Sequence, residues 1–299
     1  MEPETDVKSK KASFYKRPKF YGVAILSALL FLVFASVFTV LTLRWVNPPT
    51  TSFMQQQNWE ELGIEKYNLQ ENWVAYESIP NHMSWAVVAA EDQLFWDHWG
   101  FDIESIRESW EDRQEGIRSR GASSITQQVA KNLFLWPGES FLRKGIEAVI
   151  TLFMELLLPK DRIMEIYLNI AEFAPGIFGI GKASDVLFNL SPGELEPDMS
   201  ARLAAVLPSP KRMRVEPPSP FTQERSQWIL QQMTHLSGIR YIPEDVPEDT
   251  LAEPEFDLSA SDSLLSRPVP AQNTSRPADT LQAPGRDSLP TRNLPDSLQ

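Results

Sequence analysis

Cysteine is absent from the 299 residues of this chain, and histidine occurs only three times. Without cysteine there can be no disulfide framework, no thiolate metal site and no cysteine nucleophile. A metal centre built from several histidines is also disfavoured, because only His82, His98 and His235 are available to form it. A lone histidine is more often a hydrogen-bonded structural residue than a ligand, so a structural role is the first interpretation of His98.

The chain is poor in basic residues relative to acidic ones, with a formal net charge of −12. This excess of acids argues against a protein that coats nucleic acid, and no nucleic acid is expected as a partner. The charges are also unevenly distributed. Residues 1–20 hold six Lys and Arg against three acids, whereas residues 244–299 hold four Arg against eleven acids. The two ends of the chain therefore carry opposite charge.

Residues 21–43 contain no charged side chain. As a helix this segment would be about 35 Å long, enough to cross a hydrocarbon core of about 30 Å. A signal peptide would have a shorter apolar region and a small-residue cleavage site after it, and neither is found here. Lysines and arginines cluster before the segment, while only Arg44 follows it closely. This asymmetry predicts a cytoplasmic N-terminus and an extracytoplasmic domain.

The C-terminal segment 244–299 lacks the residues of a hydrophobic core. It contains one aromatic residue, Phe256, and eight prolines among Ser, Asp and Gln, a composition typical of disorder. Asp-Ser-Leu recurs from positions 262, 287 and 296 within it. The segment is interpreted as a solvated spacer, and the alternative is a linear motif that binds a partner protein.

Residues 59–242 show helical hydrophobic spacing with few alternating runs, which predicts a mostly α domain. Within it, an apolar helix face in 84–102 ends in Glu91 and Asp92. Aromatic residues follow this acid pair closely. A carboxylate that they shield from water would have a raised pKa and could act as a general base near neutral pH. The alternative is a solvated acid pair at a helix end.

Residues 120–135 combine an apolar stripe at four-residue spacing with a polar face. Residues 121–123 precede this helix and could leave backbone amides free for an anion. Residues 113–144 hold six cations against two acids, so an anionic substrate is the functional interpretation and a plain amphipathic helix is the alternative. The side chains on the polar face are Ser124, Gln128 and Lys131, with Asn132 beside them.

Residues 141–173 begin with a helical apolar stripe that Pro159 ends. Arg143, Lys144 and Glu147 share one side of this helix. Taken alone, they would form only a weak surface salt bridge. Their significance lies in combination with the other segments.

In this order, the segments resemble glycosyltransferase family 51, the peptidoglycan transglycosylases, over about residues 75–235. The chain is most similar to monofunctional, membrane-anchored members. Several blocks in this order are far more specific than any one of them. The matching residues are Glu91, Asp92, Phe95, His98 and Gly100; Gly121, Ser123, Thr126, Gln127, Gln128, Lys131 and Asn132; Arg143, Lys144 and Glu147; Tyr167, Leu168 and Asn169; and the run 203–210.

The sequence departs from the family pattern at a few positions. Ser124 stands where threonine is usual, which keeps the hydroxyl group. Ala174 replaces a usual glycine, and 188–190 reads Phe-Asn-Leu where an aromatic-Phe-Gly-Lys run is common. The acceptor side of the site therefore matches the family less closely than the donor side.

The resemblance implies an all-α, lysozyme-like transglycosylase domain with a smaller membrane-proximal subdomain, preceded by one transmembrane helix. No transpeptidase domain is expected, because too little chain remains for one. The expected divisions are a cytoplasmic basic N-terminus (1–20), a transmembrane helix (21–43), a membrane-proximal linker (44–74), the transglycosylase domain (75–243) and a disordered acidic tail (244–299).

The resemblance also implies the chemistry. The substrate would be lipid II, a disaccharide-peptide on undecaprenyl pyrophosphate. Glu91 would deprotonate the 4-hydroxyl of the acceptor sugar, which attacks the donor's anomeric carbon with inversion and expels the lipid pyrophosphate. Glu147 would be a second catalytic acid, orienting the nearby cations or assisting at the leaving group. The expected substrate-binding residues are Asp92, Phe95, His98, Ser123, Ser124, Gln127, Gln128, Lys131, Asn132, Arg143 and Lys144, of which Lys131, Arg143 and Lys144 would hold the pyrophosphate.

No protein-bound metal is expected, although a divalent cation, Mg²⁺ or Mn²⁺, could accompany the substrate pyrophosphate. The expected partners are lipid II, the growing glycan strand, the membrane and other proteins of cell-wall synthesis or division. The expected location is the cell inner membrane, crossed once, with the catalytic domain in the periplasm.

Two other functions compete with this interpretation. A lytic transglycosylase or hydrolase would also suit a lysozyme-like fold with one catalytic acid, but it has no need of three clustered cations for pyrophosphate. A non-enzymatic scaffold for cell-wall enzymes is the other alternative. The presence of both Glu91 and Glu147 with the cations argues against it.

Overall fold

The computed structural model describes residues 18–63, 67–114, 123–138 and 140–242. The tail predicted at 244–299, with its repeated motif, and nearly all of the basic N-terminus lie outside these residues. The predicted all-α fold is confirmed for the described part of the chain. Its elements are α1 (Pro18–Thr42), α2 (Ser52–Gln55), α3 (Trp59–Leu62), α4 (Asn81–Glu91), α5 (Ile103–Gln114), α6 (Ile125–Phe134), α7 (Phe141–Leu157), α8 (Lys160–Ile170), strands β1 (Glu172–Ala174) and β2 (Ile177–Phe178), α9 (Ile180–Phe188), α10 (Pro197–Ala205) and α11 (Pro220–Ser237), with 3₁₀ turns at Tyr76–Ser78 and Pro192–Glu194.

Helix α1 is long and apolar enough to cross a membrane. Its apolar part, Tyr21–Thr42, spans 22 residues with a hydropathy of 2.7. Most of its side chains are exposed, as those of a lipid-facing helix are. The C-terminal part of α1 packs against α7, so the apolar helix is in contact with the helical domain.

Helix α8 lies at the centre of the main hydrophobic core and is buried on nearly every side. Asn169 near its end is fully buried, and its side chain makes three hydrogen bonds. Its Oδ1 accepts from the backbone amide of Val74 at 2.8 Å, and its Nδ2 donates to the carbonyls of Val74 and Glu165, both at 2.8 Å. A buried amide satisfied in this way fixes the chain before α4 against α8.

Helix α4 is buried on two opposite faces because it lies between two groups of helices. Met83 and Val87 belong to the main core, which also contains residues of α6 and α8. Ala86 and Ala89 pack instead against α10 and α11. The small alanine side chains allow this close approach. The end of α4, where Glu91 lies, is therefore enclosed by both groups.

The β1–β2 hairpin follows α8 directly and is antiparallel. Gly179, at its exit, has a φ of +73°. A Cβ at this position would lie 2.5 Å from the backbone oxygen of Asn169. Glycine is therefore required here both for the left-handed backbone and for the close approach to α8.

Gly179→Ala is expected to destabilise the protein more than Gly238→Ala. Gly238 has a φ of +70°, and its Cβ would meet no described atom within 4 Å. Both alanines incur about 1 kcal/mol for the left-handed backbone, and Gly179→Ala loses about 2 kcal/mol more because its Cβ collides with backbone. Urea denaturation of both variants measures the difference. Equal losses would contradict the close approach of residue 179 to α8.

Candidate active site

Glu91 is the last residue of α4 and is only partly exposed. Gln128 of α6 donates from Nε2 to Oε2 of Glu91 at 2.8 Å. The amide of Gln128 is oriented by Tyr167 of α8, whose hydroxyl donates to its Oε1 at 3.2 Å. Burial raises the pKa of Tyr167 well above its usual value, so this hydroxyl stays protonated and remains a donor. The chain from Tyr167 through Gln128 thus presents an N–H to the Glu91 carboxylate.

Burial raises the pKa of Glu91 above its ordinary value of 4.5. The Gln128 hydrogen bond and the positive charges of Arg225 and Lys131 counteract this rise, while the neighbouring Asp92 adds to it. Arg225 comes from α11 and donates to the carbonyl of Ala90 at 3.2 Å. The carboxylate is therefore more basic than an ordinary one, although cations surround it.

Asp92 points inward, so the predicted acid pair at the end of α4 separates into two different environments. Its Oδ1 accepts from Nε2 of His98 at 2.7 Å, and its Oδ2 accepts from the amide of Ile125 at 2.9 Å. Nδ1 of His98 accepts from the amide of Gly100 at 3.0 Å. Since Nδ1 is an acceptor, the proton is on Nε2, and His98 is neutral in this arrangement. Asp92 and His98 therefore connect the end of α4 to the start of α6.

The start of α6 is closed by side chains. Ser124 and Gln127 form a capping box: the amide of Gln127 donates to Oγ of Ser124 at 3.2 Å, and the amide of Ser124 donates to Oε1 of Gln127 at 2.9 Å. The hydroxyl of Ser124 also donates to the carbonyl of Gly100 at 2.6 Å. Side chains thus accept from the amides of residues 124, 125 and 127. Free amides were predicted at residues 121–123, of which 121 and 122 lie outside the described part.

Three cations lie around Glu147, which is 1% exposed on α7. Arg143 donates from Nη1 to Oε2 at 2.9 Å, and Lys144 donates from Nζ to Oε1 at 2.5 Å. Lys144 also donates to Oγ of Ser123 at 3.2 Å. Burial lowers the pKa of Lys131, whereas the charges of Glu147 and Glu91 raise it. Lys131 is therefore close enough to interact with both carboxylates.

The cation cluster has spare hydrogen-bonding capacity. Nε of Arg143 is buried without a hydrogen-bond partner among the described residues. The ammonium group of Lys131 lies 5.9 Å from the ring centre of Phe53, a residue of the short helix α2. Three cations with one unused buried donor form a site suited to an anion.

The family of the chain follows from comparison with known proteins. A family model described as transglycosylase matches residues 57–234, more than half of the chain. The chain belongs to the transglycosylase family. It is 43% identical over 219 residues to a biosynthetic peptidoglycan transglycosylase of Ectopseudomonas mendocina, covering 73% of this chain and 90% of the relative. It is 44% identical over 216 residues to a protein of the same name from Pseudomonas entomophila, covering 72% of this chain and 92% of the relative.

The family assigned from the motifs, the peptidoglycan transglycosylases, is therefore confirmed, and with it the prediction that the chain is a glycosyltransferase enzyme. The structure brings together the two predicted acids, Glu91 and Glu147, with the predicted cations Lys131, Arg143 and Lys144. Gln128 is bonded to Glu91. Asn132 lies partly buried beside Lys131 on α6.

Phe95 lies deeper in this transglycosylase than a substrate contact would require. It is fully buried, with its ring edge against Trp96 and the ammonium of Lys160 4.4 Å from its ring centre. Trp99, one of the aromatic residues that follow the acid pair and were expected to shield it, is 67% exposed. The Trp99 side chain therefore does not account for the burial of Glu91.

The residues of this transglycosylase site do not fit a metal centre built by the protein. Across residues 18–63, 67–114, 123–138 and 140–242, no group of three or more His, Asp or Glu residues could hold a metal ion. Both oxygens of Glu147 accept from cations, and both oxygens of Asp92 accept from His98 and Ile125. A divalent ion at this position would take its ligands from the substrate's phosphates.

Glu91→Gln is expected to raise the melting temperature at pH 7. The folded-state pKa of Glu91 is raised, so charging this group destabilises the fold as pH rises above its unfolded value of 4.5. The stabilisation by glutamine should therefore be full at neutral pH and disappear below pH 4.5. Thermal unfolding of both proteins at several pH values measures it.

The matched control is Glu194→Gln at an exposed turn. Hydrogen bonds from Ser191 lower the pKa of Glu194. Its stabilising effect is present at neutral pH and is lost as pH falls, so glutamine there should not raise the melting temperature at pH 7. If Glu91→Gln behaved like this control, the desolvation of Glu91 would be disproved.

Proposed function

We propose that this transglycosylase polymerises lipid II into peptidoglycan glycan strands, with Glu91 as the general base and undecaprenyl pyrophosphate as the leaving group. The observation that supports this most strongly is that Glu91, a carboxylate of raised pKa, interacts with Lys131, which belongs to the cluster of three cations around Glu147. The relatives named biosynthetic peptidoglycan transglycosylases are consistent with it.

Glu91 is suited to take the proton of the acceptor's 4-hydroxyl. Among the described residues, Gln128 donates to Oε2, and no donor is bonded to Oε1. Oε1 accepts the hydroxyl proton as the hydroxyl oxygen bonds to the anomeric carbon of the donor sugar. The bond from that carbon to the pyrophosphate oxygen breaks with its electron pair going to the phosphate. Attack opposite the leaving group inverts the anomeric centre.

Lys131, Arg143 and Lys144 stabilise the negative charge that develops on the departing pyrophosphate. Glu147 bonds to two of these cations and reduces their mutual repulsion, so they are held in place before the substrate arrives. We assign Glu147 to positioning the cations. A Mg²⁺ or Mn²⁺ ion, if present, would bind through the phosphates, and no step depends on it.

The remaining predicted contacts fall into two groups. Ser123 accepts from Lys144, while Gln128 and Asn132 lie on α6 with Lys131, and these three residues are proposed to contact the substrate. The others hold the framework of the site in this structure, and their action on substrate is through these neighbours. That group consists of Asp92, Phe95, His98, Ser124 and Gln127.

We propose a location in the cell inner membrane, crossed once by α1, with the N-terminus in the cytoplasm and the catalytic domain in the periplasm. The apolar helix and the basic residues of 1–20 support this orientation. A membrane-linked domain meets both lipid II and the growing strand there. Proteins of cell-wall synthesis or division are proposed as partners of 244–299, which lies outside the described residues.

Glu91→Gln is expected to lower kcat for lipid II polymerisation by about 10³-fold, because general-base assistance is lost. The variant should still bind moenomycin, a phosphoglycolipid whose phosphate would use the same cations. The assay measures strand formation by the detergent-solubilised full chain, with Glu194→Gln as the exposed control. Undiminished polymerisation would refute the role of Glu91. Release of fragments from finished peptidoglycan, without use of lipid II, would favour the cleaving alternative.

The acidic limb of the pH profile of kcat/KM is expected above 4.5, because burial raises the pKa of Glu91. Gln128→Ala removes the hydrogen bond that most lowers this pKa, so the limb should move to higher pH whatever the loss in rate. Lys182→Ala on α9 serves as the control. A limb that stays in place in Gln128→Ala would contradict the assignment of this limb to Glu91.

A further inference from the structure

The end of the membrane helix α1 leaves backbone carbonyls without local donors. The carbonyls of residues 40, 41 and 42 accept from the amides of residues 43–46. Beyond them the chain runs into Pro48 and Pro49, which have no N–H to donate. The carbonyls of Leu43 and Val46 must therefore be satisfied from elsewhere.

Arg162, in the first turn of α8, supplies these donors. Its Nε donates to the carbonyl of Leu43 at 2.8 Å, and its Nη2 donates to the carbonyl of Val46 at 3.3 Å and to Oδ1 of Asn47 at 2.7 Å. Its Nη1 pairs with Glu165 at 2.8 Å. The planar guanidinium is thus fixed by four polar contacts, three of them to the residues just after α1, and it also lies 5.3 Å from the ring centre of Trp73.

Arg44 makes the reverse contact. Helix α7 ends at Leu157, and Pro159 follows it two residues later. The carbonyl of Leu157 accepts from Nη1 of Arg44 at 2.9 Å. Arg162, near the start of α8, therefore caps the end of α1. Arg44, just after α1, caps the end of α7.

The two helices bonded to the end of α1 also carry residues of the candidate active site. Five residues after Arg162 on α8 comes Tyr167, which orients Gln128 against Glu91. Helix α7, held by Arg44 at its end, carries Glu147 with its cations. A shift of α1 relative to the domain would break the caps before it moved either helix.

We propose that Arg162 and Arg44 are positioning residues that fix the active site at one height and tilt over the membrane. This inference rests on the proposed function, since it requires a substrate whose pyrophosphate lies at the membrane surface. A domain on a loose tether would spend only part of its time at the height of that pyrophosphate, and its rate would fall by the same fraction.

The test compares two donors in the same vesicles, with the full chain inserted. One donor is lipid II in the bilayer, and the other is a water-soluble analogue with a short isoprenoid chain. Arg162→Ala should lower the rate on bilayer lipid II by about tenfold, as expected for loss of charged hydrogen bonds, and the rate on the soluble donor by less than about twofold. Arg44→Ala, an exposed residue with one such bond, should show the same selectivity to a smaller extent.

Arg107→Ala is the matched control, because Arg107 is 77% exposed on α5 and, among the described residues, its ion pair is with Glu111. Arg162→Lys should recover part of the bilayer rate, since an ammonium can still donate to one of the carbonyls. Equal losses on both donors would make Arg162 a general structural residue and overturn the proposal. Unchanged bilayer rates in both Arg162→Ala and Arg44→Ala would overturn it as well.

A second measurement does not depend on activity. The chain has no cysteine, so Phe38→Cys on α1 and Lys182→Cys on α9 give two unique spin-label sites. The distance between the labels should be narrowly distributed in the parent and broad with Arg162→Ala. A narrow distribution in the variant would disprove the positioning role. If the parent polymerised neither donor, the proposed function would fail, while the distances would still test the caps.

Discussion

The arrangement of the site depends on the hydrogen bonds that the buried carboxylate of Asp92 accepts. This carboxylate accepts from His98 on one side and from the amide of Ile125 on the other. A buried carboxylate without donors would cost several kcal/mol, so the end of α4 is held where both donors are available. With α4 fixed against the start of α6, Gln128 lies one turn further along and meets Glu91. Of the two adjacent acids, Asp92 therefore holds α4 against α6, and Glu91 is the one whose pKa is raised.

Burying charged groups in the site destabilises the protein, and the packing of the rest of the fold offsets this loss. Burial disfavours the charged forms of both Glu91 and Lys131, and their mutual attraction only partly compensates. The enclosing cores supply the compensation, since α4 is packed on two faces and α8 is almost wholly buried. The folded protein keeps Glu91 away from water that would stabilise its charged form, and this raises the pKa of the carboxylate.

Local features of the sequence predicted the parts of the site that depend on local structure. Helical spacing indicated the helices and the acid at the end of α4, and the polar face of α6 indicated Gln128 and Lys131. The same spacing carried no information on tertiary packing. It gave no reason to expect Arg225 near Glu91 or Phe53 near Lys131, because they come from distant helices. The free amides predicted at residues 121–123 stay a prediction, because residues 121 and 122 lie outside the described part of the chain.

Polar contacts from Arg44 and Arg162 join the end of α1 to the helical domain, in addition to the apolar packing of Val40 and Leu43 in the main core. At a membrane surface, apolar side chains gain little by leaving lipid for protein, so packing alone would hold α1 weakly. An unpaired carbonyl at the same depth costs more, and prolines after both helices ensure that local amides cannot satisfy it. An arginine distant in sequence that donates to such a carbonyl therefore stabilises the contact and also fixes the orientation of α1 relative to the helical domain. The end of α1 is thus connected, through Arg162 and α8, to Tyr167, which orients Gln128 against Glu91.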